Sequence, residues 1–211
     1  MLHRIFVHLL YLCCKLKICP FKTPPSAKPK PYFSSYAMTT ETTSKVDKNL
    51  MTNIKVKYKD WEFEVDRELT RVTYDNVTLS GADSCICNDC KNYVAYRDKV
   101  FSYEIKQLFD DLGIDYRKEV EITSFETHPD GLHHIGGWFH FKGRLVSGKN
   151  YRIPQPDNIG YTLDLTKVED NFSIGFAPGN DLAYFTDKTD LVQIEFMTYI
   201  PWVIDKSLET T

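Results

Sequence analysis

From Ile54 onward apolar and polar residues alternate with a period of two, the pattern of strands that bury one face. Ile54, Val56 and Tyr58 share a face, and Trp61, Phe63 and Val65 continue it across a tight turn at Lys59-Asp60. The same alternation predicts a second hairpin. Val72 and Tyr74 precede Asp75-Asn76, residue types that tolerate the positive φ of a short turn, and Val77 and Leu79 follow it. Beyond residue 117 the strand period returns: Val120, Ile122 and Ser124 alternate, His128-Pro-Asp-Gly131 reads as a turn, and a long strand is predicted over residues 133–146. Further strands are predicted over 161–165, 172–176 and 191–200, the last ended by Pro201, while the stretch 151–158 with its two prolines reads as an ordered loop.

The middle of the chain changes period. Ser102 is placed to cap a helix in which Ile105, Leu108, Phe109 and Leu112 recur at i, i+3, i+4 and i+7, and Gly113 stops it. A shorter helix running to about Tyr96 is predicted with Asn88 or Asp89 as its cap. Sheet, helices and sheet again give an α+β fold, mostly antiparallel β-sheet with one or two central helices packed on it.

Charge separates the first 40 residues from the rest. They hold six basic side chains and no acidic one, so residues 41–211 carry 20 basic against 29 acidic side chains, a formal charge of −9. That balance argues against nucleic acid as a partner. The apolar run from Ile5 to Cys14 is too short to span a membrane, and five prolines follow between Pro20 and Pro31. Residues 1–50 are therefore expected to be a disordered or non-native extension, with Met38 and Met51 as alternative starts and residues 51–211 as a single domain. Cys13, Cys14 and Cys19 then stand outside the cysteine count that matters.

That count concentrates in Ser84-Cys-Ile-Cys-Asn-Asp-Cys-Lys91, where three thiols fall within six residues. Thiolates are soft ligands, and Cys87-x-x-Cys90 lets one turn of backbone present two sulfurs to one ion, with Cys85 adding a third. Zinc is the expected cofactor. A closed tetrahedral site needs a fourth ligand, and the candidates downstream are His128, His133, His134 and His140. His140, flanked by Phe139 and Phe141 on a strand expected to be packed, is assigned ahead of His134, while His133 and His134 beside the turn are read as exposed. In a regular strand His134 and His140 lie about 20 Å apart, so they share an ion only if Gly136-Gly137 breaks the strand. Two alternatives stay open: a reversible Cys87–Cys90 disulfide at a helix N-terminus, or three buried thiols without a ligand.

The segment C-x-C-x-x-C-x-N-Y (Cys85 to Tyr93), the helix end Leu112-Gly-Ile-Asp115, and Asp130-Gly followed by Gly136-Gly-Trp-Phe-His-Phe141 resemble a family of small, uncharacterised bacterial proteins. Glu195-Phe and Pro201-Trp-Val203 extend the likeness, which covers about residues 52–205. It implies a cytoplasmic bacterial domain and brings no activity. No phosphate-binding loop, dinucleotide fingerprint, HExxH or GxSxG is present, although a Cys–His nucleophile pair is conceivable if Cys87 or Cys90 meets His140 in space. Enzymatic activity is thus left open as the less favoured reading, and an interaction module with an acidic, aromatic-rich surface for an unknown protein partner is the third reading.

Overall fold

A computed structural model describes residues 53–156 and 160–209, so the expectations for residues 1–50, including Cys13, Cys14 and Cys19, lie outside the described residues. The fold is α+β and mostly antiparallel sheet. Strands β1 (Ile54–Tyr58) and β2 (Trp61–Val65) form the expected first hairpin, turning at Lys59 with φ +52°. Helices α1 (Arg67–Asp75), α2 (Asn88–Tyr96) and α3 (Tyr103–Leu112) follow. Then come β3 (Glu121–Thr127), β4 (His133–Ser147), β5 (Arg152–Pro154), β6 (Tyr161–Leu163), β7 (Thr166–Glu169), β8 (Phe172–Pro178) and β9 (Leu191–Ile200).

The main sheet has the order β1-β2-β4-β9-β8-β7, and β3 pairs β4 along the same edge that β2 uses further on. Among the described residues β5 and β6 pair only with each other. On one face Phe139 and Phe141 of β4, Ile174 and Phe176 of β8, and Ile194 and Phe196 of β9 meet the helices, and Phe101 packs edge-on against Phe109, Phe139 and Phe196. The predicted stripe of α3, Ile105, Leu108, Phe109 and Leu112, is buried against this core. Ser102 caps α3 as expected. Gly113 ends it at φ +81°, where an added Cβ would come within 2.4 Å of the Arg67 carbonyl.

The second predicted hairpin is instead α1. Asp66 caps it by accepting a hydrogen bond from Leu69 N at 2.9 Å, and Arg71 bridges Glu68 and Asp75, three residues before it and four after. Only Thr70 and Tyr74, four apart, are buried, and Val72 and Leu79 remain exposed. The helix completes the sheet by a different route. Between the segments paired by β3 and β2, the edge of β4 would be left without partners at His140 and Lys142. The Tyr74 hydroxyl donates to His140 O at 2.9 Å and accepts from His140 N at 3.1 Å, Thr70 Oγ1 accepts from Lys142 N at 3.0 Å, and Asp66 N donates to Lys142 O at 2.9 Å. Tyr74→Phe leaves two buried backbone groups without partners and is expected to cost about 2 kcal/mol, read from the urea midpoint.

Two strands differ from expectation. β5 forms where a loop was predicted, because the fixed φ of Pro154 is compatible with an edge strand, and β7 pairs β8 through only a short, bulged register.

Candidate metal centre

The loop that carries the cysteines is fastened before it reaches them. Gly81 N donates to Glu119 O at 2.9 Å, and the approach is so close that a Cβ on Gly81 would sit 2.2 Å from the Val120 carbonyl oxygen. The Glu119 carboxylate, fully buried, accepts from Ser80 Oγ at 2.5 Å and from Ala82 N at 3.2 Å. Arg97 lies beside it, with Nη1 3.4 Å from Glu119 Oε2 and 3.1 Å from Asp83 Oδ2. Burial pushes the Glu119 carboxyl above its ordinary value, and these donors pull it part of the way back. Cys85 follows on a turn closed by its own N–H donating to Ala82 O at 3.1 Å.

Cys87, rather than Asn88 or Asp89, is the N-cap of α2, its Sγ accepting from Cys90 N at 3.4 Å. The backbone that caps the helix therefore also turns Cys87 and Cys90 toward each other. The three sulfurs lie within 4.8 Å of one another, Cys85 and Cys87 in contact at 3.3 Å, and no disulfide joins them. Sulfurs at 2.3 Å from a tetrahedral ion would be about 3.8 Å apart, so the cluster needs only small rotations to enclose one. Burial pushes the Cys85 thiol up to about 11, and Cys90 is driven higher by its hydrogen bond with Cys87, by burial and by the neighbouring sulfurs. A cation is the group that offsets that mutual repulsion.

The C-terminal segment lies across α2. Asn92 Nδ2 donates to Pro201 O at 3.1 Å and Asn92 Oδ1 accepts from Val203 N at 2.7 Å, while Asn88 Nδ2 donates to Leu208 O at 3.0 Å.

The structure does not bring His140 into the cluster: among the described residues only Cys85, Cys87 and Cys90 gather there. Cys90 packs into the core on the helix side, with Phe139 and Phe141, and strand alternation turns His140 to the other face, where it stands opposite Gln193. Gly136-Gly137 does not break the strand; β4 runs unbroken through it, with Gly136 under the Phe125 ring. His134 stacks on Tyr199 at 4.6 Å. His133 is buried rather than exposed, its Nε2 2.9 Å from Glu209 Oε1 and its ring against Trp202. Among the described residues no helix is long and apolar enough to cross a membrane.

No family model matches the chain, and no curated protein or solved structure matches it.

Proposed function

We propose that this is a cytoplasmic α+β domain whose Cys85, Cys87 and Cys90 thiolates hold a zinc ion in a structural role. The observation that carries the reading is the convergence of three sulfurs, from a fastened loop and from the first turn of α2, within 4.8 Å. Thiolate donors favour zinc or Cu(I) over hard cations, and zinc needs no redox partner to stay bound. The ion would tie the 80–87 loop to α2 and, through Asn88 and Asn92, to the C-terminal segment, so that binding and folding are linked.

Protein purified without chelator or an affinity-tag metal is expected to carry close to one equivalent of zinc by elemental analysis. Cys87→Ser and Cys90→Ser should each abolish it, and chelation should lower the thermal midpoint by several degrees, at about 2–4 °C per kcal/mol for a domain of this size. The meeting of Cys87 Sγ with Cys90 N at 3.4 Å, at the N-terminus of α2, favours a second reading, a thiol redox protein using Cys87 and Cys90. Metal-free protein with a disulfide that forms and reduces reversibly would transfer the case to it. Metal-free, unreactive thiols would end both readings.

A further inference from the structure

The sheet face turned away from the helices is paved with polar side chains that the cysteine centre does not use. His140 and Lys142 of β4 and Gln193 and Glu195 of β9 share it by strand alternation. Tyr151 and Arg152, at the start of the β5–β6 hairpin, lie over it, and two glycines make the room. A Cβ on Gly175 would come 2.5 Å from Tyr151, and one on Gly179 would come 2.8 Å from the Arg152 guanidinium. Arg152 donates from Nη2 to Gln193 Oε1 at 2.7 Å, from Nε to the Tyr151 hydroxyl at 3.3 Å, and from Nη1 to Pro178 O at 3.1 Å. Gln193 Nε2 and the Tyr151 hydroxyl in turn donate to Glu195 Oε2, at 2.9 and 3.3 Å.

His140 faces Gln193 of this network, whose side chain lies near enough to favour the protonated ring but not in hydrogen-bonding geometry with either ring nitrogen. It is fully buried, and neither ring nitrogen has a hydrogen-bond partner among the described residues. A buried polar group left without a partner bears the whole cost of its desolvation, so an imidazole in this state is kept where something else answers it. Among the described residues the charged groups that act on it are cations, Arg152 of β5 and Lys188 of the loop between β8 and β9. The nearby acids are engaged: Asp187 pairs with Lys142 at 2.9 Å, Glu195 sits beneath Gln193 and Tyr151, and Asp181 lies 3.9 Å from Arg152 at the rim. Among the described residues three of the five guanidinium N–H groups of Arg152 are used.

We propose that His140, Arg152 and Lys188 form a binding site for a small oxyanion, the carboxylate or phosphate group of a ligand held beneath the β5–β6 hairpin. The imidazole N–H and the guanidinium donors give the anion charge-assisted hydrogen bonds in a site shielded from water, and Lys188 marks the exposed end by which it enters. Burial, opposed by the Gln193 side chain and reinforced by Arg152 and Lys188, holds the His140 imidazole down to about 4, so it is neutral at pH 7, and an anion beside it favours the protonated ring.

The test follows the His140 imidazole resonance by NMR in the full-length protein at low salt, assigned by its loss in His140→Gln, while inorganic phosphate or acetate is added. A saturable shift is expected by about 10 mM, above the millimolar scale of weak small-ligand binding. The protonation midpoint of His140 should rise by about one pH unit. Lys188→Gln, an exposed change that leaves the fold intact, and Arg152→Gln should each weaken the anion by roughly fivefold. Preference for phosphate or for acetate assigns the ligand's group, and either supports the site. If neither anion shifts His140 saturably, or if Lys188→Gln leaves the affinity unchanged, the proposal is overturned.

Discussion

Replacing Glu119 by Ala is expected to destabilise the protein by about 3–5 kcal/mol, the range for removing one partner of a buried ion pair. The carboxylate has no solvent exposure and serves three groups at once: Ser80 Oγ, Ala82 N and, through both of its oxygens, Arg97. Its loss leaves a guanidinium whose side chain is only 13% exposed with Asp83 as its remaining carboxylate, and it takes the acceptor from the buried Ala82 N–H, while the Ser80 hydroxyl keeps Asp83 Oδ2 at 2.9 Å. Glu119→Gln keeps an acceptor for Ser80 and Ala82 and should cost less, about 1–2 kcal/mol. Urea unfolding of the three proteins checks the order, and an alanine variant within 1 kcal/mol of the parent would refute the role given to this network. Because the network fastens the 80–85 turn, the glutamine variant should also bind metal more weakly although all three sulfurs are untouched.

The second large effect is a dependence on pH carried by Glu195. Burial pushes its carboxyl from the ordinary 4.5 up to about 7, against the pull of Gln193, Tyr151 and Arg152. A folded-state value above the unfolded one means that the folded protein binds the proton more tightly. The stabilisation is therefore complete below about pH 4.5 and is lost as pH rises through 7. The interval from 4.5 to about 7 corresponds to about 3 kcal/mol at 1.36 kcal/mol per unit. His140 acts in the opposite sense. Its value, lowered to about 4, makes stability fall as pH drops from 6.5 toward 4, so the parent's own profile mixes the two groups. The difference between the parent and Glu195→Gln isolates the carboxyl: the variant should gain on the parent by about 3 kcal/mol between pH 4.5 and pH 8.5. Urea midpoints at the two pH values measure it, and a difference that does not change with pH would place the Glu195 carboxyl near its ordinary value.

Much of the fold is legible in local patterns. The β1–β2 hairpin, the buried stripe and both ends of α3, and the β3–β4 and β9 strands follow from residues whose neighbours along the chain carry the signal. α1 was misread because Val72, Tyr74, Val77 and Leu79 alternate as a strand would, yet their burial does not. The legible signal lay in Asp66 ahead of Glu68 and Leu69, in Arg71 spaced between Glu68 and Asp75, and in Thr70 four residues before Tyr74. Sequence propensity favoured a strand, and tertiary packing overrode it, because a helix with two hydroxyls on one face could fill the gap in the β4 edge.

The cysteine cluster was legible for the same local reason: three ligands within six residues can be brought together by one turn and one helix cap. The place of His140 was not legible: the sequence suggests it as a ligand of the cluster, and the structure does not bring it there. Which side of β4 meets the cysteine-bearing helix depends on which face the helices cover, and that is a property of the whole sheet. The polar face was hidden likewise, since Glu195 and Gln193 sit two apart on β9 while Tyr151 and Arg152 arrive from a separate hairpin 44 and 41 residues away. By itself the sequence determined the strand and helix periods and the one soft-ligand cluster, because those depend on neighbours a few residues apart. Only the tertiary structure decided which strand face met the helices and which histidine was buried on the opposite, polar face, because those depend on contacts between segments far apart in the chain.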